Sequence, residues 1–551
     1  MDKRFNLLYE KWIRVLGKNL KISEVSLIDA LKYSYKYKAL AGETPLQNLA
    51  IERLLLSIAI TLFYRYDEDG ENSYLNEADI DWEESDEIEE LVLNRWKAYK
   101  ELRNFPEGIV EKYLKQYENR FWLFHPDTPF YQVPEMVKDG KSYLKEYNVA
   151  VLQGNIKESD NKYTRHHFSM SEGENLLKLT ESEAARWLIH LNAFSVNVKY
   201  NKNAPGCKDA AGVGRLGLLG NIKFEGENLY EELLLNLTPV KTGSEISLWG
   251  KPRPSWEQKV RIEQNCKIAP PNNLPELYSI QSRRVHLNAQ NGRIDGFSIL
   301  GGDFYDKEDD PIEQMSMWKR DTKTSKIIPK KHDIAIQAWR EFSTLLKSNK
   351  DTKKPGVVSW IEILKRNGCI NDKLLTINTL GMVYGDGMSY TYGDYIDDKI
   401  SLSSELLDNI GKDWIITISD EIEKCEKVSN DAFKLFANKI KIICGKDAKK
   451  LKERLSTVFF QKIDEKFRKW LISIEPSKSI KEVEQKKWHR IAKRAADSVV
   501  MEYIKEIDCI IYVGKEETKD NIVSIPEAYN MFRVKLNGIY PQEFLERRIN
   551  E

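Results

Sequence analysis

Residues 447–472 read DAKKLKERLSTVFFQKIDEKFRKWLI, and their spacing decides how the C-terminal part of the chain folds. Leu451, Leu455, Val458, Phe459, Ile463, Phe467, Trp470 and Leu471 recur at three- and four-residue intervals. One face of a 3.6-period helix is therefore apolar, and Lys and Arg fill the other. Similar patterns cover roughly 404–444, 479–508 and 526–548, the last opened by Ser524, Pro526 and Glu527 in a capping-box arrangement. Gly445 and Pro476 mark short breaks between these segments. Four such helices predict a four-helix bundle over 403–551.

Outward from the bundle, residues 1–402 mix short strands with helices, so the fold class expected is α+β. Thr44-Pro45-Leu46-Gln47 supplies an N-cap, a proline at the first helical position and a capping glutamine before LAIERLLLSIAITLF, a buried helix. Thr180 and Glu183 open EAARWLIHLNAF in the same way, and NLYEELLLNL (228–237) is a helix that stops before Pro239. A chain of 551 residues is too long for one core, and two domains are expected, 1–402 and 403–551.

The 41% hydrophobic and 31% charged content is that of a folded chain with an ample polar surface. No uninterrupted apolar run approaches the ~20 residues of a membrane helix, and MDKRFNLLYEKWIRV meets charge before a signal core forms, so a cytoplasmic, membrane-free protein is expected. The six cysteines form no CxxC pair and no Cys/His cluster; neither a zinc site nor a disulfide framework is signalled, and no cofactor is expected.

The formal net charge of zero conceals strong segregation. Residues 67–90 hold thirteen Asp/Glu and no Lys/Arg, whereas 432–494 hold nineteen Lys/Arg against seven Asp/Glu. A basic face of this kind either solubilises a helical surface or releases counterions from a phosphate backbone.

Gly212-Val213-Gly214-Arg215-Leu216-Gly217 matches GxGxxG, but a dinucleotide fingerprint follows a strand and opens a helix. Here the motif follows a helix and runs into NIKFEGE, which reads as a strand. The surrounding NKNAPGCKDAAGVGRLGLLG (201–220) carries five glycines beside Lys202, Lys208 and Arg215. It is either a plain linker or a place where backbone approaches a narrow surface such as the DNA minor groove, ~6 Å wide.

Seven further segments are FNLLYEKWIRV (5–15), ALAGETPLQNLAIERLLLSIA (39–59), RFWLFHPDTPFYQVP (120–134), LTESEAARWLIHLNAF (179–194), GVGRLGLLG with NLYEELLLNLTPV (212–240), LPELYSIQSRRVHL (274–287) and LGMVYGDGMSYTYGDYIDDKISL (380–402). Their order and spacing resemble the CasA-type large subunits of type I-E CRISPR Cascade. The resemblance implies a non-catalytic subunit that joins the other Cascade subunits and docks at the crRNA 5′ end. It also implies reading of the protospacer-adjacent motif (PAM) in double-stranded target DNA, the start of strand separation, and recruitment of a separate CRISPR helicase-nuclease. Carried over residue by residue, a glycine loop falls on Ala211, Gly212, Val213 and Gly214 with Arg215 adjacent, and a wedge on Asp386, Gly387 and Met388, with Gly387-Met388 where other members carry Asn-Gln. Arg293 is the nearest candidate for a basic finger. The loop facing the crRNA falls on 154–168, with Lys162, Arg165, His166, His167 and Phe168 suited to phosphate contact and base stacking. The basic bundle, with Lys449, Lys450, Lys486, Lys487 and Arg490, would hold the displaced DNA strand or flanking duplex. Two other classes stay open: a metal-dependent nuclease built on His332, Asp333 and nearby acids, and a generic nucleic-acid scaffold.

Overall fold

The computed structural model describes the chain except at residues 1–2, 74, 76–84, 135–136, 139–140, 143–145, 150–151, 154–156, 160–161, 165–177, 197–211, 243–245, 264–265, 291, 306–312, 386–391, 508–513, 519–520 and 542–551. The chain divides into two compact units. One comprises Met1–Ile336, Thr344–Ile370 and Thr376–Lys399, and the other Gln337–Ser343, Asn371–Leu375 and Ile400–Glu551.

The first unit is built on the helix Pro45–Arg65. Thr44 Oγ1 accepts from Gln47 N (3.1 Å), the expected N-cap, while the Gln47 side chain reaches one residue further back to Glu43 N (3.0 Å). By length and composition this helix could cross a membrane, yet 94% of its apolar window is buried inside the unit. It packs against the helices Glu181–Phe194, Leu229–Asn236 and Leu274–Tyr278. The Thr180–Glu183 capping box is complete in both directions.

Short antiparallel sheets surround this helical core. Ile13–Gly17 lies between Ile22–Val25 and Tyr37–Leu40. Leu374–Tyr384 lies between Asn221–Glu225 and Tyr392–Ser403, with Asn221 opposite Leu380. The hairpin Arg283–Gln290/Arg293–Gly301 carries Glu146–Asn148 on its second strand.

Two buried ionic clusters tie a loop and a strand to the central helix. Arg53 forks onto Glu313 with Nη1–Oε1 and Nη2–Oε2 distances of 2.9 and 2.6 Å, at side-chain exposures of 3% and 1%. Burial alone would raise the Glu313 carboxyl, but the Arg53 guanidinium reverses this and holds it below the ordinary carboxylate range. Lys223 donates to Glu52 and to Glu232 Oε1, the latter at 2.7 Å. Complete burial, with Glu232 close by, outweighs the Lys223 charge and pushes Glu52 up to about 8.

The second unit contains the four expected helices: Lys412–Cys444 with a π-helical turn at Val428–Phe433, then Ala448–Ser473, Lys481–Lys505 and Ile525–Ile539. Within 447–472 the apolar stripe faces inward as its spacing demands, joined by Phe460; Val458 is only half-buried. Rings fill the core: Trp470 stacks on Trp488 at 5.3 Å and Phe433 on Phe532 at 5.8 Å. A boundary drawn at 402/403 leaves out Gln337–Ser343, Asn371–Leu375 and residues 400–402 of this unit. Trp339 stacks on Phe467 at 4.2 Å and donates to Asp464 Oδ1 (2.7 Å), and Arg340 lies 3.6 Å over the Phe460 ring while donating to Glu426. A single Trp-Arg pair in the one-turn 3-10 helix Ala338–Glu341 is too short a stretch to carry a periodicity by which the sequence could assign it to the bundle.

Candidate nucleic-acid interface

The glycine segment lies where helix Glu181–Phe194 ends. Gly214 N donates to Ser195 O (2.7 Å), and a side chain at Gly214 would place its Cβ 2.5 Å from Ala193 O and 2.7 Å from Ser195 N. Gly214 therefore serves packing of backbone on backbone. Gly212 differs. Its φ of +68° is left-handed, and no described residue lies within 4 Å of the position a Cβ would occupy. Arg283, buried at the base of its hairpin, donates from Nη2 to Gly212 O at 2.6 Å and fixes the direction of that peptide. Val213 is buried and anchors the loop from below.

Arg215 does not project as a free cation. Its Nη2 lies 3.5 Å from Glu313 Oε2 and its guanidinium 4.8 Å over the Tyr305 ring, so its charge is compensated within the fold. The first glycine-loop turn runs from Arg215 to Leu218 and leads into the strand Asn221–Glu225, the helix–loop–strand order read from the sequence.

Tyr384 ends the strand that enters the wedge segment. Its hydroxyl donates to Phe194 O (2.9 Å), its ring covers Gly217, and Lys331, an exposed cation, lies 5.8 Å from the ring centroid. The end of the strand that leads toward the expected wedge and the glycine loop are thus fastened to the same helix end. Arg283 and Lys331 were not singled out from the sequence. A signal for Arg283 exists in the Arg283-Arg284 pair at the start of a strand that continues through Val285 and Leu287, since buried guanidiniums collect carbonyls; Lys331 has none.

Arg293 is exposed at the other end of the Arg283–Gln290/Arg293–Gly301 hairpin. Seven residues of strand place it about 23 Å from the Arg283 end that braces the glycine loop, beyond the reach of one arginine side chain. Arg293 and the glycine loop therefore do not form one local cluster. Ala211, Asp386, Gly387, Met388, Arg165, His166, His167 and Phe168 lie outside the described residues. Lys162 falls in the strand Lys162–Thr164, paired with Lys157–Ser159.

In the second unit the basic residues are on the surface but not in one patch. Arg454 pairs with Glu506 (2.7 Å) and Trp470 stacks on Trp488, so Ala448–Ser473 and Lys481–Lys505 run antiparallel. Lys449 and Lys450 lie at one end of this helical hairpin, and Lys486, Lys487 and Arg490 near the other. The separation is about 30 Å, from twenty residues at 1.5 Å each. Lys487 pairs with Glu484 (2.6 Å), whereas Lys449, Lys450 and Arg490 are exposed and have no carboxylate partner among the described residues.

The metal alternative finds different geometry. His332 Nε2 lies 3.0 Å from Asn221 O, and Asp333 Oδ1 accepts from Ala335 N (2.9 Å). Among the described residues no group of three or more His, Cys, Asp or Glu could hold a metal ion.

A mixed α+β unit with a braced glycine loop, joined to a helical unit with exposed cations, defines a class of large two-unit α+β proteins. Solved structures of that class match this chain over nearly its whole length. The crystal structure of Thermobifida fusca Cse1 superposes with a TM-score of 0.78 at 23% identity, over 98% of each chain. A chain of a CRISPR RNA-guided surveillance complex superposes with a TM-score of 0.70 at 14% identity, over 98% of this chain and 100% of that one. The curated CRISPR-associated protein CasA/Cse1 of Thermus thermophilus is 25% identical over 351 residues, which are 62% of this chain and 60% of that relative's length. The family model for CRISPR-associated protein Cse1 matches residues 6–499, and the chain belongs to that family.

Proposed function

We propose that this chain is the large, non-catalytic subunit of a type I-E Cascade complex, seated at the crRNA 5′ end, that reads the PAM in duplex DNA and starts strand separation. Recruitment of the helicase-nuclease follows once the strands part. The observation that carries the reading is Gly212: a left-handed glycine with no described residue within 4 Å of where a Cβ would sit, held in place by Arg283 and by the Gly214 backbone contact. Such a backbone can enter a minor groove where side chains cannot. Tyr384 brings the wedge hairpin to the same helix end, as coupled reading and opening require. Met388 is an apolar side chain of the kind that unstacks base steps. Lys331, beside Tyr384, is better placed than Arg293 to contact phosphate near this loop.

The test is assembly with the partner subunits and guide RNA, followed by binding to duplexes that differ only in the two or three base pairs flanking the target. Preference for one motif by more than about tenfold is expected, since phosphate contacts alone carry no sequence information. Equal affinity for all motifs would make the chain a scaffold.

For the bundle, we expect Lys449→Glu with Lys450→Glu to weaken target binding for every motif and to lower the slope of log affinity against log salt by about 2, at roughly 0.9 per phosphate. Lys486→Glu with Lys487→Glu is expected to lower the slope independently but by less, since Lys487 already pairs with Glu484; about 30 Å separates the pairs, and only an extended strand or duplex meets both. Unchanged slopes in both variants would assign these faces to solvent.

A further inference from the structure

Away from the glycine loop, the first unit contains a cavity of about 450 Å³, within the ~300–1,000 Å³ range of small-molecule sites. Its floor is apolar, formed by the buried Trp96 and Leu234. The Trp96 indole nitrogen already donates to Leu234 O (3.1 Å), so the floor asks nothing polar of a ligand.

Three cations border the cavity: Lys18, Lys100 and Arg103. Lys100 Nζ lies 5.5 Å from the Trp96 ring centroid and donates to Cys369 O (3.1 Å), which holds the ammonium over the indole. Lys18 and Arg103 are exposed and have no carboxylate partner among the described residues. Arg103 follows the helix Ser85–Leu102 with φ of +54°, a conformation that favours glycine. A guanidinium is thus carried at the rim where backbone geometry alone would choose otherwise.

The remaining lining includes two carboxylates, Glu227 and Glu231, and the half-exposed Tyr35 ring. Glu231 Oε2 accepts from Glu227 N (2.7 Å), which orients that carboxylate. A simple anion site would not include two carboxylates, and an apolar ligand would leave three cations unanswered. One chemistry uses all of these groups: an anionic end, a flat ring and hydroxyl donors. We propose that this cavity binds a ribonucleoside 5′-phosphate. The phosphate meets Lys18, Lys100 and Arg103 through charge-assisted hydrogen bonds. The base lies against Tyr35 over the Trp96–Leu234 floor, and the ribose hydroxyls donate to Glu227 and Glu231, as acidic residues accept ribose hydroxyls elsewhere.

Calorimetric titration of the full chain with AMP, dAMP and adenosine tests this. AMP is expected to bind, with dAMP and adenosine each weaker by about tenfold or more, the value of one lost hydrogen-bonded group. Arg103→Gly suits the existing φ, so its thermal transition should match the parent while AMP affinity falls by about tenfold. Glu227→Ala with Glu231→Ala, which removes both acceptors, should equalise AMP and dAMP. Competition by a 5′-phosphorylated oligoribonucleotide would assign the site to an RNA end, and its absence to a free nucleotide. Failure of AMP to bind, or unchanged AMP affinity in Arg103→Gly with unchanged stability, would overturn the proposal.

Discussion

Gly212→Asp is expected to leave the chain folded and the complex assembled on its guide RNA, while binding of the target duplex falls by on the order of 100-fold. That corresponds to the several kcal/mol of placing like charges together at an interface. The reason is the contrast between two neighbouring glycines. No described residue lies within 4 Å of a Cβ at Gly212, and aspartate is among the few residues that tolerate a φ near +68°. The new carboxylate would stand where the proposed function brings backbone to the DNA. At Gly214 even alanine is too large, with Ala193 O at 2.5 Å and Ser195 N at 2.7 Å from the added carbon. Gly214→Ala should therefore lower the thermal stability of the first unit without any DNA present, and its binding defect should follow from that. Gel-shift titration of the two variant complexes, beside their melting curves, separates the effects. Wild-type duplex affinity in Gly212→Asp would remove the loop from the interface.

Lys223→Met is expected to destabilise the first unit by about 3–5 kcal/mol at neutral pH, the cost of stripping the partner from buried charge. Its ammonium lies between Glu52 and Glu232, whose side chains are 0% and 6% exposed, and methionine would leave both carboxyls facing each other. The strand that carries Lys223 begins just after the glycine loop, so duplex binding should fail with it. Glu52→Gln should behave oppositely. Burial raises Glu52 from 4.5 to about 8, so its contribution is full below about pH 4.5 and is lost as the pH climbs to about 8. Glutamine cannot ionise, and the variant's stability relative to the parent should improve steadily between pH 5 and pH 8. Urea unfolding at several pH values measures both, and a pH-independent difference for Glu52→Gln would show that this carboxyl titrates normally.

The parts of this protein legible in its sequence are those set within one or two helical turns. The stripe Leu451–Leu471 becomes the inward face of Ala448–Ser473, and Thr44, Thr180 and Ser524 each accept the backbone N–H three residues on. Periodicity and capping are local, so a string of residues specifies them whatever the rest of the chain does. The helix–loop–strand setting that removed the dinucleotide reading was legible for the same reason. The site was legible only as a set of segments. That Gly212 is left-handed and open, that Arg283 holds its carbonyl across 71 residues, and that Tyr384 joins the wedge strand to Phe194 across 190 residues are consequences of packing. So are the capture of Arg215 by Glu313 and the division of the basic bundle into two ends. Sequence composition counts charges without their positions. Whether a cation faces solvent, a carboxylate or a distant end of the same helix depends on which surfaces the apolar core brings together, and only the tertiary structure decides that.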